Sequence, residues 1–297
     1  MQKLTIVVNC TDRKSVVPTS DLRMRSLSVD HEDARFSLWR RRLGSAAAEV
    51  RLLDLYQGEA WVQAKGLAQD ARDQGAQVRM LVASAGLGLM DVTSHAPSYA
   101  ATFALGHADS VTGDVKRTSK WWRQLGELPR ATALSNVARD PILLVLSESY
   151  ARAMDADLVE LAKRGGDYLL VGGWRSVDGL PRLKSDRDLR RTLGGTVSSI
   201  NLRMARKWMA RRSTSSLHSQ FDTTRWEKWA RGARSPEMYQ RVPLNDDELV
   251  ELVTGLRLED PTLSATRALR LIRDRGMACE QKRFGMLFRQ ILEAEAR

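Results

Sequence analysis

Cysteine is nearly absent: Cys10 and Cys279 are the only two in 297 residues, and neither has a partner at CxxC spacing. Neither a disulfide framework nor a structural zinc site can then organise the fold. Of the four histidines, only His95 and His107 come near one another, twelve residues apart and without a carboxylate pair at ligand spacing, so no metal and no cofactor are expected. No apolar run approaches the roughly 18 residues that a membrane helix needs. The first residues run directly into a β-type stretch rather than a leader, so a cytoplasmic protein without a membrane partner is expected. The glycine-spaced segment SAGLGL (84–89) matches neither GxGxxG nor a Walker loop, which argues against nucleoside triphosphate binding.

What is abundant is positive charge, and it is concentrated. The formal net charge is +11, and residues 182–234 hold fourteen Lys or Arg against four Asp or Glu. One segment therefore carries nearly the whole excess, which points to a polyanionic partner such as DNA or RNA. Trp208, Trp226 and Trp229 interleave with these cations, as expected for base stacking beside phosphate contacts.

Apolar β-type stretches alternate with amphipathic ones. LTIVV, VRMLVA, ILLVLS, DYLLVGG and TVSSI read as strands. Helices are expected from about 56 to 74, 97 to 107, 116 to 126, 148 to 163, 186 to 193 and 201 to 212. This is an α/β pattern with a small, mostly parallel sheet of about five strands flanked by helices. Residues 18–44 read as a solvated arm. The expected organisation is an α/β domain over 1–212, a basic linker or loop excursion over 213–244, and a helical unit over 245–297. Three helices are expected in that last unit, the first two capped by Asn245 and Ser264. The Gly276-Met277-Ala278 turn before the third, starting near Cys279, resembles a helix-turn-helix link.

In open α/β sheets ligands sit at the carboxyl ends of strands. Four strand ends here run into polar loops, and the candidate site is assembled from them. Asp12, with Asp91 as a second candidate, has the carboxylate needed to orient or deprotonate a water. Asn9, Ser84, Gly86, Tyr99 and Asn201 are the candidate base-binding residues: the amides can read a base edge, and glycine allows close backbone approach. Arg13, Lys14, Arg203, Arg206, Lys207 and Arg211 are candidate phosphate contacts. In the helical unit, Arg270, Arg273, Lys282 and Arg283 are further candidates.

Four segments occur in the order VVNCTDRKS, LLDLYQGEAW, SAGLGLM and PSYAATFALG. Together they resemble the bacterial YaaA-like proteins over about the first 110 residues. Lys14 and Arg13 hold the basic loop positions, Tyr56 and Gly58 the second segment, and Ser84, Gly88 and Leu89 the third. The resemblance implies DNA binding. An acidic loop after the first strand of a small parallel sheet is also similar to the layout of uracil-DNA glycosylases, although their Gly-Gln-Asp-Pro-Tyr and His-Pro-Ser loops are missing. The expectation is a DNA glycosylase acting on double-stranded DNA that carries a modified base, in the manner of a phage-defence enzyme. The alternatives are a non-catalytic DNA-binding stress or regulatory protein and an RNA base-exchange enzyme.

Overall fold

The computed structural model describes residues 3–27, 31–47, 49–137, 140–236 and 242–295. They divide into two units, Met1–Pro236 and Glu237–Arg297. In the first unit the chain runs β1 (Lys3–Asn9), α1 (Glu32–Ser45), β2 (Val50–Arg51), α2 (Leu52–Leu55), α3 (Glu59–Asp73), β3 (Gln77–Ser84), β4 (Gly88–Asp91) and β5 (His95–Ala96). It continues with α4 (Val115–Leu125), β6 (Ile142–Leu146), α5 (Glu148–Ala153), α6 (Asp155–Arg164), β7 (Tyr168–Gly172), β8 (Arg182–Leu183), α7 (Arg190–Leu193), α8 (Ile200–Arg211) and α9 (Gln220–Ala233).

The fold is α/β, built on a six-stranded sheet in the order β4-β3-β1-β6-β7-β8. Every pairing is parallel except β3 with β4. The apolar, β-branched runs of β1 and β6 are buried along almost their whole length, as strands covered on both faces must be. From β1 the chain moves to β3 on one side and later to β6 on the other. The boundary between β1 and β6 is therefore a topological switch point, where the connecting loops part and leave a crevice. Right-handed crossovers running in opposite directions put α3 and the α5–α6 pair on opposite faces. α8 packs against α3, β6 and β7.

Several expectations are corrected. The small, mostly parallel sheet flanked by helices is as expected; it gains two edge strands, β4, where the loop after Ser84 returns antiparallel, and β8 beside β7, and loses one. Residues 196–200 are not a strand. Thr196 and Ser199 form a capping box that starts a short 3-10 turn leading into α8, and reciprocal capping outweighs the β-branched character of Thr196 and Val197. Residues 97–107 form no helix and instead carry isolated bridges, Arg23 with Ala100 and Thr102 with Ser110. Residues 148–163 are two helices that break at Met154. The arm at 18–44 is not a solvated excursion, since α1 buries Phe36 and Trp39 in the core. The 213–244 linker is likewise corrected: it holds α9, which buries Trp226 and Ala230 in the same core.

In the second unit, β9 (Val242–Pro243) precedes α10 (Asp246–Glu259), α11 (Ala265–Asp274), β10 (Met277–Ala278) and α12 (Gln281–Glu295). Leu249, Val253, Ile272, Phe284 and Phe288 form its core. Asn245 and Ser264 cap α10 and α11 as expected. The link before α12 is longer than a tight helix-turn-helix turn, because Met277–Ala278 pairs in parallel with β9. No helix among the described residues is long and apolar enough to cross a membrane.

Candidate functional site

A cleft of about 750 Å³ opens at the carboxyl ends of β6 and β7, beside the switch point. Its polar lining comes mostly from four places. Ser147, Glu148, Ser149 and Arg152 come from the start of α5, Gly173 and Trp174 from the turn after β7, Arg182, Lys184 and Arg187 from β8 and beyond, and Ser198 and Asn201 from the start of α8. Phe103 and Leu105 close one side. Its volume is in the range of small-molecule sites.

The cleft is held open by backbone that other residues pin. Asn9 sits at the end of β1, and its Oδ1 accepts from the Ser147 amide at 2.9 Å, tying the strand end to the start of α5. Arg182 donates to the carbonyls of Gly172 and Gly173, at 2.6 and 3.0 Å. Gly172 has φ +92°, and a Cβ there would lie 2.2 Å from the Leu146 carbonyl and 2.3 Å from Asn201 Nδ2. Only glycine accepts both that backbone and that approach. The Asn201 side chain is thereby fixed, with Nδ2 donating to the Leu146 carbonyl at 3.1 Å. Its Oδ1 is buried and has no hydrogen-bond donor among the described residues. Such an acceptor costs about 1–3 kcal/mol until a donor reaches it.

Charge in the cleft is strongly one-sided. Arg152, Arg182, Lys184 and Arg187 face a single lining carboxylate, Glu148, whose Oε1 lies 2.6 Å from Arg152 Nη2. Arg152 also lies over the Trp174 ring, 4.4 Å from its centroid. Trp174 is anchored through Nε1 to Asp155, which also takes a two-pronged contact from Arg175. Burial alone would push the Asp155 carboxyl up, but the hydrogen bonds from Arg175 and Trp174 outweigh it and leave it below its ordinary value. Lys184 and Arg187 are exposed.

The β1–β3 side of the switch point holds a different arrangement. Ser84 Oγ accepts from the Gly86 and Leu87 amides and hydrogen-bonds the Tyr99 hydroxyl, which in turn meets Tyr56 at 2.7 Å. Cys10 Sγ lies 3.0 Å from the Tyr150 hydroxyl. Burial raises all three tyrosines well above their ordinary value, so they stay neutral. Lys14 lies 4.5 Å from the Tyr99 ring centroid and donates to the Thr11 and Asp12 carbonyls, and burial lowers its pKa. Ser84, Gly86 and Tyr99 are thus corrected as base-binding residues. Tyr99 and Ser84 are fully buried. The room left by a hydrogen at Gly86 is taken by the Tyr99 ring, 2.5 Å from where a Cβ would stand. Lys14 pins its own loop rather than reaching for a phosphate.

The two carboxylates expected to do chemistry are not among the residues lining the cleft. Asp12 is exposed in the loop after β1. Asp91 is opposite Leu81, so the antiparallel return of β4 carries it back from the carboxyl end of β3. There it pairs with Arg79 at 3.0 Å and accepts from the Thr93 amide and hydroxyl. Burial raises its pKa, but the Thr93 and Arg79 contacts lower it further, to a net value below the ordinary one. Asp91 is a turn cap.

The predicted phosphate contacts also divide. Arg203 binds Glu59 and the Leu193 carbonyl, and Arg206 binds Asp70 and Gln63. Both therefore tie α8 to α3, a correction to their expected role, because their places on α8 face the acidic side of α3. Lys207 and Arg211 lie over the Trp229 ring, 5.5 and 5.4 Å from its centroid. Trp208 and Trp226 are core residues and cannot stack on bases. Arg13 is exposed. In the second unit, Arg283 pairs with Asp246, Arg273 donates to the Cys279 carbonyl, Arg270 is 3.8 Å from Asp274, and Lys282 is exposed.

Of the predicted site residues, Asn201 lines the cleft and Asn9 braces it. Sequence reasoning missed Glu148, Arg152, Arg182, Lys184 and Arg187, whereas Trp174 follows DYLLVGG, one of the four strand ends expected to build the site. The signal for the first two was ILLVL followed at once by Ser-Glu-Ser, a strand end as polar as the four that were noticed. Among the described residues no group of three His, Cys, Asp or Glu side chains is placed to hold a metal ion. Comparison with family models, with curated proteins and with solved structures gives no match.

Proposed function

We propose that the cleft holds a modified base flipped out of DNA, and that the protein hydrolyses the N-glycosidic bond joining that base to deoxyribose. The observation that carries this reading is Asn201. Its amide is pinned through Nδ2, and its buried carbonyl oxygen has no donor among the described residues, at the wall of a cleft lined by cations. A flipped base brings N–H donors on its pairing edge, and the phosphates beside it bring the negative charge that Arg152, Lys184 and Arg187 attract. Trp174 supplies a flat apolar wall. Glu148 takes the role first expected of Asp12 and Asp91. It orients a water and accepts its proton as the oxygen bonds to C1′, while the C1′–N bond breaks and its electron pair leaves with the base, which takes up a proton.

The test is incubation with phage genomes carrying glucosylated or otherwise modified bases, followed by a search for alkali-labile breaks. Breaks that disappear with Glu148→Gln are expected; intact DNA from every modified genome tried rejects the reading. A second reading, DNA binding without chemistry, is favoured by the placement of Asp12 and Asp91 outside the cleft. It predicts that Glu148→Gln retains full biological effect while Lys184→Ala and Arg187→Ala lose it.

A further inference from the structure

A second polar surface lies apart from the cleft-lining residues, on α9 and the end of α8. Phe221, Arg225 and Trp229 recur every four residues and so share one face of α9, with Lys228 and Gly232 beside them. Phe221 is 62% exposed, a large ring left in water. Arg225 lies over it, 5.6 Å from its centroid. Trp229 is half-buried beneath Lys207 and Arg211. Arg211, Arg225, Lys228 and Trp229 line a groove of about 730 Å³ with no carboxylate among its described lining residues.

Among the described residues, Arg211 and Lys228 have no carboxylate within ion-pair distance, and Arg225 has only a long contact. The nearest carboxylate to Arg225 is Asp222 at 3.9 Å, and Asp222 already accepts from Ser213, Thr214 and Ser219. Glu227 is occupied by Arg234. Arg211 Nε is buried without an acceptor among the described residues. Like charges crowded on one surface repel, and a polyanion that enters relieves the repulsion. Phosphate accounts for the cations but not for the exposed phenyl ring. An aromatic platform among cations takes unpaired bases, whose faces a duplex hides.

We infer that the α9 groove binds single-stranded nucleic acid, its phosphates on Arg211, Arg225 and Lys228 and a base stacked on Phe221. This deepens the DNA-processing reading and rests on it for biological sense, but it is tested without it. The experiment measures anisotropy of a fluorescein-labelled 12-nucleotide oligo-dT, and of a matched duplex, titrated with the full chain at several salt concentrations. Phe221→Ala is expected to weaken oligo-dT binding about tenfold while leaving duplex binding nearly unchanged. The double variant Arg225→Ala/Lys228→Ala is expected to flatten the slope of log K against log salt by about 1.4, the loss of two phosphate contacts on a single strand. All three side chains are exposed, so circular dichroism should match the parent.

Oligo-dT binding that neither variant changes overturns the inference. So does the absence of oligo-dT binding at low salt, or a Phe221→Ala loss equal for duplex and single strand. Base release from modified DNA reports on the cleft alone. A protein that releases no base yet binds oligo-dT through α9 leaves this inference standing, and one that releases base with unaltered variant affinities sinks only this inference.

Discussion

Arg203→Ala separates a structural arginine from a DNA-binding one. The guanidinium makes three hydrogen bonds: to Glu59 Oε1 from Nε at 2.9 Å and from Nη2 at 2.7 Å, and to the Leu193 carbonyl from Nη1 at 2.8 Å. Burial pushes the Glu59 carboxyl up, but hydrogen bonds from Ser199, Thr196 and Arg203 outweigh it, so the group is held ionised below its ordinary range. A buried charge-assisted contact contributes about 1.5–3 kcal/mol. With side-chain exposures of 23% and 33%, solvent screening cuts the total for this pair to about 2 kcal/mol. For a unit spanning Met1–Pro236 that loss corresponds to a melting temperature lower by about 4–8 °C. Thermal unfolding followed by circular dichroism measures it, and a double-mutant cycle with Glu59→Gln isolates the coupling. If the proposed DNA binding holds, the affinity read well below the melting temperature should stay at the parent value. An Arg203→Ala protein that melts like the parent but binds DNA an order of magnitude more weakly refutes the assignment.

Gly172→Ala should cost at least about 3 kcal/mol in urea unfolding, because a Cβ is strained at φ +92° and meets the Leu146 carbonyl. A urea midpoint equal to the parent's contradicts the pinned turn. Asp222→Ala removes the acceptor of the Ser213 amide and of three hydroxyls in a buried position, with an expected cost of about 3 kcal/mol. Burial would raise the Asp222 pKa, but those hydrogen bonds hold it far below the ordinary carboxylate value. Its stabilisation is therefore present above the unfolded value near 3.8 and is lost as pH falls below it, so the variant and the parent should converge in stability toward strong acid. Asp157 runs the other way. Burial raises its pKa despite the hydrogen bond from Trp122 Nε1, so ionisation above that raised value opposes folding. Asp157→Asn, which keeps an acceptor for Trp122, should melt higher than the parent at neutral pH and lose the advantage below pH 3.8. An equal advantage at both pH values argues against a charge effect.

Much of the fold was legible residue by residue. Continuous apolar runs marked β1, β3, β6 and β7, because a central strand has no face to spare for polar side chains. Asn245 and Ser264 announced α10 and α11, since capping is a local hydrogen bond between near neighbours. What misled was local signal outweighed by packing or by a competing cap. Residues 18–44 look polar, yet two aromatic side chains suffice to bind α1 to the core. Residues 196–200 look like a strand, yet the Thr196–Ser199 capping box turns them into the start of a helix.

The same divide runs through the candidate site. By itself the amino-acid order determined an α/β chain with its positive charge gathered in residues 182–234, and it singled out Asn9 at a strand end and Asn201, which the fold places in the first turn of α8 rather than after a strand. Periodicity, caps and net charge depend on residues close in sequence, so they need no coordinates. Tertiary structure alone decided which cations stay free. Arg203 and Arg206 look identical to Lys207 along the chain, but α3 brings Glu59 and Asp70 to the first two and Trp229 lies under the third. It also decided which carboxylate meets the cleft, because the antiparallel turn after β3 carries Asp91 away while the β1–β6 switch point leaves Glu148 at the opening. Whether an ion is paired depends on neighbours more than a hundred residues away, and only the folded chain brings them within reach.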